Sequence, residues 1–239
     1  MIAAFDFGIT NTDLVIKDQR IKFLSVPSPF DRKNRDFDIT ERHVIEILEK
    51  LDINIKEISS IGVTGGKSAD LPDRICDVPI TKVNEIDAIG KGARSLYKIS
   101  EESSLVVSSG TGTACVHIQN TATNHLGGIS VGGGMLEGLS NLLVNIPHGV
   151  KINNLAEKGN RKTLDVMIGE AVNEIGNLNA EITAANFAKA RNEPTNSIED
   201  ISASLCDMVG EVIGTVAYLN ALLVGSNKAY FLGRTSMLS

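Results

Sequence analysis

The 239-residue chain has no tryptophan, only 6 prolines and 3 cysteines, and 4% aromatic residues. So little proline leaves no room for proline-rich linkers between parts of the chain. Cys76, Cys115 and Cys206 are odd in number, far apart and without the paired spacing of a zinc site, so they read as reduced, buried thiols. Basic residues are outnumbered 23 to 29, a net charge of −6, and no Lys/Arg cluster forms a stripe that could track a phosphate backbone. Nucleic acid and anionic membranes are therefore not expected as partners. No apolar run reaches the roughly 18 to 20 residues that span a bilayer. The opening MIAAFDFG lacks the basic region and apolar stretch of a signal peptide, and a cytoplasmic location is expected.

What is present is an ordinary apolar content, 42%, and 22 glycines, enough for a sizeable core with many tight backbone turns. The periodicity predicts strands at residues 2–7, 14–16 and 21–26, the first stopped by Gly8 and the third by Pro27. A helix follows, with Thr40 as N-cap and Val44, Ile45, Leu48 and Leu51 on one face. Residues 59–63 read as a strand running into Thr64-Gly65-Gly66, and a short strand ending near Asn84 precedes a helix through Leu96. The second half opens on strands 104–109 and 113–119 around Gly110-Thr111-Gly112 and passes a second glycine cluster, 127–134. Helices are expected at 135–144, 151–158 with Gly159 as C′ residue, 183–190 and 201–224, and a last strand at 229–232. Residues 163–175 suit either a strand or a helix, and 201–224 is apolar on more than one face, as a helix buried in the domain or in a dimer contact would be. This alternation is that of an α/β protein with two packed lobes, 1–100 and 101–239.

The glycines fall where anions bind. Asp6-Phe7-Gly8-Ile9-Thr10-Asn11-Thr12 puts a carboxylate at the end of a strand, then a turn that can offer N–H groups and hydroxyls to phosphate oxygens while Asp6 serves Mg²⁺. An ordinary hairpin turn, with Asp6 and Asn11 bonding neighbouring backbone, is the alternative. Ser109-Gly110-Thr111-Gly112-Thr113 repeats the arrangement. Gly132-Gly133-Gly134 opens a helix, where bare backbone and free N–H groups favour a triphosphate; close helix packing or a hinge is the alternative. Neither G-x-x-x-x-G-K-[ST] nor G-x-G-x-x-G is present, which argues against a P-loop NTPase or a dinucleotide-binding dehydrogenase.

The blocks FDFGITNT, VTGGKSA, VNEIDAIGKGA, SSGTGTACVH, HLGGISVGGGMLEGLSNLL, AEKGNRKTLD, EITAANFAKA and VGEVIGTVAYLNA resemble, in order and spacing, the type II pantothenate kinases. These are members of the superfamily of acetate and sugar kinases, heat-shock chaperones and actin. The resemblance implies two ribonuclease-H-like lobes with a nucleotide cleft between them, ATP and Mg²⁺ as cofactors, a homodimer, and phosphorylation of pantothenate, the first step of coenzyme A synthesis. It makes Glu85 the general base. It assigns Asp6, Gly8, Thr10, Asn11 and Thr12 to the first phosphate turn, with Asp6 toward the metal, and Thr111 and Gly112 to the second. Gly133, Gly134 and Met135 become ATP contacts, Gly233 precedes a late nucleotide contact, and Thr113 and His125 face the substrate.

Three features depart from the family pattern. Ile9 and Asp13 stand where a second glycine and a lysine are usual, which is unfavourable near a triphosphate unless Asp13 points away or Lys17 or Lys67 compensates. His125 replaces an arginine that grips the substrate, and a lone histidine is as readily a surface or packing residue. The family continues past Phe231-Leu232-Gly233 with a further helix-bearing segment, so the second lobe is expected to be truncated at its C-terminus. A related kinase for another hydroxyl compound, such as an amino sugar, and a non-catalytic nucleotide-binding homologue remain as alternative readings.

Overall fold

The computed structural model describes residues 1–28, 38–173, 176, 179–192 and 197–238. The chain divides into two compact units, Met1–Lys98 and Ile99–Ser239.

Unit 1 starts with an antiparallel meander, β1 (Ile2–Phe7), β2 (Asn11–Lys17) and β3 (Ile21–Pro27). After α1 (Glu41–Lys50) come β4 (Ser60–Thr64), β5 (Arg74–Ile75), β6 (Val78–Lys82) and α2 (Glu85–Tyr97). The sheet order is β3-β2-β1-β4-β6-β5, with β4 parallel to both β1 and β6. Alternation along β1 and β2 turns Ala3, Phe5, Phe7, Leu14 and Ile16 into the core, and α1 covers them with Val44, Ile47 and Leu48. Thr40 caps α1 as expected, with the His43 ring returning to the Thr40 N–H at 3.1 Å.

Unit 2 repeats the plan. The meander β7 (Ser103–Ser109), β8 (Thr113–Gln119) and β9 (Ala122–Ile129) is joined by β12 (Ala229–Leu232), parallel to β7, in the order β12-β7-β8-β9. This matches β4-β1-β2-β3 of unit 1 strand for strand. Between β9 and β12 lie α3 (Gly133–Val144), α4 (Gly149–Ala156), the small pair β10 (Val166–Met167) and β11 (Thr183–Ala185) flanking α5 (Ile168–Ala171), and α6 (Ile198–Leu223).

Helix α6 buries Ser202, Leu205, Val209, Ile213 and Ala217, three or four residues apart, against the core formed with Leu105, Leu136 and Ile152. It is also long and apolar enough to cross a membrane by length and composition, a property that counting unbroken apolar runs had overlooked. Its buried stripe makes it the central helix of unit 2.

Two local expectations are corrected. Residues 183–190 were expected to be helical, but form β11 and a 3₁₀ turn, Ala188–Arg191. The cause is non-local: Arg161 donates to the Glu181 carbonyl at 2.7 Å, and the buried Asp165 accepts the Phe187 N–H at 2.7 Å, pinning Phe187 at φ +55°. Gly159 is not a left-handed C′ residue; helix α4 ends at Ala156 and the missing side chain of Gly159 lets the backbone of Glu199 approach. In the ambiguous stretch 163–175, Glu174 and Ile175 lie outside the described residues.

Candidate active site

In unit 1 the turn between β1 and β2 is held from behind. Ser28 donates to the Gly8 carbonyl at 2.5 Å, so its remaining contact, 3.1 Å to Thr12, has Thr12 as donor. Thr12 is fully buried and its hydroxyl is spent on this brace. Gly8 lies so close to the Asn11 carbonyl that a Cβ would come within 2.7 Å of it. Thr10 and Asn11 stay partly accessible at the mouth of the turn.

Asp6 closes β1 on the face opposite the core, with Asp13 directly across on β2 and Thr64 directly across on β4. The carboxylate retains solvent contact but is crowded by protein. That burial, then the charges of Glu85 and Asp13, push its pKa up from 3.8 to about 6. Part of the crowding comes from Gly65, at φ +75°, where a Cβ would stand 2.5 Å from Asp6 Oδ1. The Thr64-Gly65-Gly66 block thus has a spatial reason: it lets β4 turn against the Asp6 carboxylate, and Gly66 against the Phe7 carbonyl.

Glu85 is the first residue of α2. The Asn84 side chain accepts the N–H groups of Ile86 at 2.9 Å and Asp87 at 3.4 Å, a cap that the sequence reading did not identify although Asn before a helix is its usual signature. Glu85 is exposed and its charge reaches Asp6, whereas Asp87 turns to Lys91 at 3.6 Å. Of the lysines considered as compensation, Lys67 pairs with Asp38, and Lys17 sits opposite Ile2 at the far end of the β1–β2 ladder.

In unit 2 the turn Gly110–Gly112 and the start of α3 form one knot. The N–H groups of Gly133 and Gly134 donate to the carbonyls of Gly110 at 2.8 Å and Thr111 at 3.0 Å, and Thr235 Oγ1 donates to the same Gly110 carbonyl at 2.8 Å. These two N–H groups are therefore not free for phosphate, as had been expected. The glycines serve close packing: a Cβ on Gly132 would meet the Gly110 and Thr111 carbonyl oxygens at 2.8 Å, one on Gly133 the Thr235 hydroxyl at 2.7 Å, and one on Gly134 the Thr111 methyl at 2.6 Å. Gly127 and Gly128 belong to β9 rather than to a loop. Gly233, at φ +90°, lies against the Ser109 backbone and joins the same knot, with Thr235 as a member that sequence reasoning missed.

What this knot offers a ligand is the Thr111 side chain, the exposed backbone of Gly112 and the third residue of α3, Met135, at the positive end of the helix. Thr113 is buried; its hydroxyl donates to Val131 at 2.8 Å and so accepts from Ser109 at 3.0 Å. His125 is exposed on β9 opposite Val116, three rungs from Thr113, or about 10 Å at strand spacing. It is not gathered into the knot.

Paired units of matching strand order, each with a glycine turn between its first two strands, define the nucleotide-binding class with the actin-like ATPase fold. Solved structures of that class resemble the chain. The activator of the 2-hydroxyisocaproyl-CoA dehydratase from Clostridium difficile, with bound ADPNP, gives a TM-score of 0.60 at 14% identity, covering 100% of this chain and 81% of that one. A ROK family protein from Streptococcus pneumoniae gives 0.54 at 13% identity, covering 99% and 81%. The family model named Fumble matches residues 103–236. A type II pantothenate kinase from Bacillus thuringiensis subsp. konkukian is 33% identical over 198 residues, 80% of this chain and 70% of the relative. The chain belongs to the type II pantothenate kinase family.

Proposed function

We propose that this chain transfers the γ-phosphoryl group of ATP to the primary hydroxyl of pantothenate, giving 4′-phosphopantothenate and ADP. The observation that carries the roles is the placement of Glu85: capped by Asn84, exposed, and close enough to Asp6 for its charge to be felt there. Glu85 takes the proton of the acceptor hydroxyl as its oxygen attacks the γ-phosphorus and the bond to the β-phosphate oxygen breaks. Positioning and charge neutralisation supply the rest.

Within unit 1, Gly8, Thr10 and Asn11 offer backbone and hydroxyl groups to phosphate oxygens; within unit 2, Thr111, Gly112 and Met135 do. Thr12, Gly133, Gly134 and Gly233 keep those turns in shape. Asp6 is the residue that would hold Mg²⁺. Among the described residues no three His, Cys, Asp or Glu side chains form a metal cage. The raised pKa of Asp6 supports its role toward Mg²⁺, because the negative charge gathered there by Asp13 and Glu85 is eased by a cation. When bound, the ion supplies neutralisation of the phosphate charge.

His125, exposed on β9, offers an imidazole that can meet a substrate carboxylate. A homodimer through the outer face of α6 is supported by exposed Tyr218, Leu219, Leu222 and Leu223, and by open space over Gly210 and Gly214. The use of ATP supports a cytoplasmic location.

The test is turnover with ATP, Mg²⁺ and pantothenate. Phosphopantothenate should form, and Glu85→Gln should lower kcat at least a hundredfold. No product from the unaltered chain, or an unchanged rate in the variant, refutes the assignment.

A further inference from the structure

The carbonyls of Gly8 and Gly110 occupy the same place in the two units, each on the first residue past the opening strand of its meander, β1 or β7. Each is gripped by a hydroxyl from a distant part of the chain. Ser28, one residue past β3, donates to the Gly8 carbonyl at 2.5 Å and is itself held by Thr12 at 3.1 Å. Thr235, three residues past β12, donates to the Gly110 carbonyl at 2.8 Å, beside the Gly133 N–H on the same oxygen at 2.8 Å. Strand β3 flanks the second strand of its meander and β12 flanks the first strand of its own, so the two hydroxyls arrive from opposite sides of the hairpin. What the turns share is the captured carbonyl.

That capture decides which end of the peptide faces outward. Among the described residues no peptide bond is cis, and in a trans peptide the C=O and N–H point in opposite directions. With the Gly8 carbonyl drawn back onto Ser28, the Ile9 N–H is turned away from the brace. With the Gly110 carbonyl drawn onto Thr235 and Gly133, the Thr111 N–H is turned away in the same manner. Both peptides lie at the surface, since Ile9 is 63% exposed and Gly110 and Gly112 are exposed. An outward N–H attracts an anion, and an outward carbonyl repels it. Glycine on the N-terminal side offers little resistance to reversal of the peptide plane that follows it, so the remote hydroxyl sets the polarity of the turn.

We propose that Ser28 and Thr235 are positioning residues for the nucleotide: each locks one peptide of its turn with the N–H outward, toward a phosphate oxygen, and neither touches the ligand. This rests on the reading of both turns as phosphate contacts and is independent of which alcohol accepts the phosphoryl group. The locked peptides need no rearrangement when the phosphates arrive. The two braces differ in depth. Ser28 acts with Thr12 behind it, whereas the Gly110 carbonyl keeps the Gly133 N–H when the Thr235 hydroxyl is removed. Loss of the Ser28 hydroxyl therefore weakens ATP binding more than loss of the Thr235 hydroxyl.

The test is the Kd for ATP with Mg²⁺, measured by calorimetry on the full chain and set beside Tm. Ser28→Ala should raise Kd about tenfold, and it also leaves the buried Thr12 hydroxyl without its acceptor, which lowers Tm. The double variant Thr12→Val/Ser28→Ala removes both partners, so Tm should recover to within about 2 °C of the unaltered chain while Kd stays raised. Thr235→Val should raise Kd about threefold, and Thr235→Ser should hold it within about twofold. In turnover the change should fall on KM for ATP, with KM for pantothenate within about twofold. A Kd that recovers together with Tm in the double variant overturns the inference, because Ser28 would then serve stability alone, and so does an unchanged Kd in Thr235→Val. ATP bound by the unaltered chain without transfer to pantothenate overturns the proposed function alone, and the Kd comparison still decides this inference. No binding of ATP by the unaltered chain overturns both.

Discussion

Replacing Gly132 by alanine separates the packing role of the glycine cluster from a purely conformational one. Gly132 sits at φ 174°, extended backbone open to any residue, so the substitution meets no intrinsic backbone strain. What it meets is the turn: carbonyl oxygens of Gly110 and Thr111 at 2.8 Å and a carbonyl carbon of Gly112 at 3.0 Å, all backbone and unable to rotate aside. Relief requires the start of α3 to move several tenths of an ångström from the turn, stretching the two bonds donated by Gly133 and Gly134. Two such bonds contribute about 1 to 3 kcal/mol net, and overpacking adds about 1 to 3 kcal/mol, so a loss of about 2 to 6 kcal/mol is expected. Gly138 in the same helix is the control, since a Cβ there meets nothing within 4 Å; alanine should gain up to about 1 kcal/mol of helix propensity. Urea unfolding of the three proteins, followed by circular dichroism, gives both numbers. If Gly132→Ala matches or exceeds the unaltered chain, or if both variants shift stability in the same direction, the packing argument is wrong.

Asp6 makes a pH prediction. Its carboxyl is raised to about 6 in the fold against 3.8 unfolded, so the folded state binds the proton more tightly and stability falls as pH climbs from about 4 through 6. Asp6→Asn, measured in EDTA, should therefore melt higher than the unaltered chain above pH 6, with the advantage gone below pH 4; equal melting at pH 7 would contradict the crowding of charge described here. Gly210 and Gly214 test the dimer, because in a monomer alanine at both positions should stabilise α6 by about 1 to 2 kcal/mol. With the outer face of α6 against a second copy, the double variant should instead dissociate at concentrations where the unaltered chain is dimeric, read by light scattering; a dimer unaffected by both substitutions would place the interface elsewhere.

Most strands and helices were legible because their signals are local. The alternation of β1, the Thr40 cap and the apolar stripe of α6 each lie within a few residues of the structure they determine. What the sequence concealed is held by long-range bonds. The N–H groups of Gly133 and Gly134 look free in a linear reading because their acceptors lie 23 residues earlier, and Thr235 reaches Gly110 across 125 residues. Thr12 and Thr113 read as ligand groups by residue type, but Ser28 and Val131 claim their hydroxyls from 16 and 18 residues away. Residues 183–190 have helix-forming alanines, and lose that preference to Arg161 and Asp165.

The repeated topology puts a glycine turn at the same position in each unit, with different strand ends around the two. In both, the first two strands of the meander are joined where a parallel neighbour, β4 or β12, also ends, so the loop projects from the edge at which parallel strands deliver their C-terminal residues. Unit 1 sets Asp6 and Asp13 at the surrounding strand ends with Glu85 near by, and burial together with the charges of Glu85 and Asp13 raises the Asp6 carboxyl. Unit 2 fills them with Ser109, Thr113 and Gly233 and braces the turn with the start of α3, so the groups left facing outward are neutral backbone and a helix terminus.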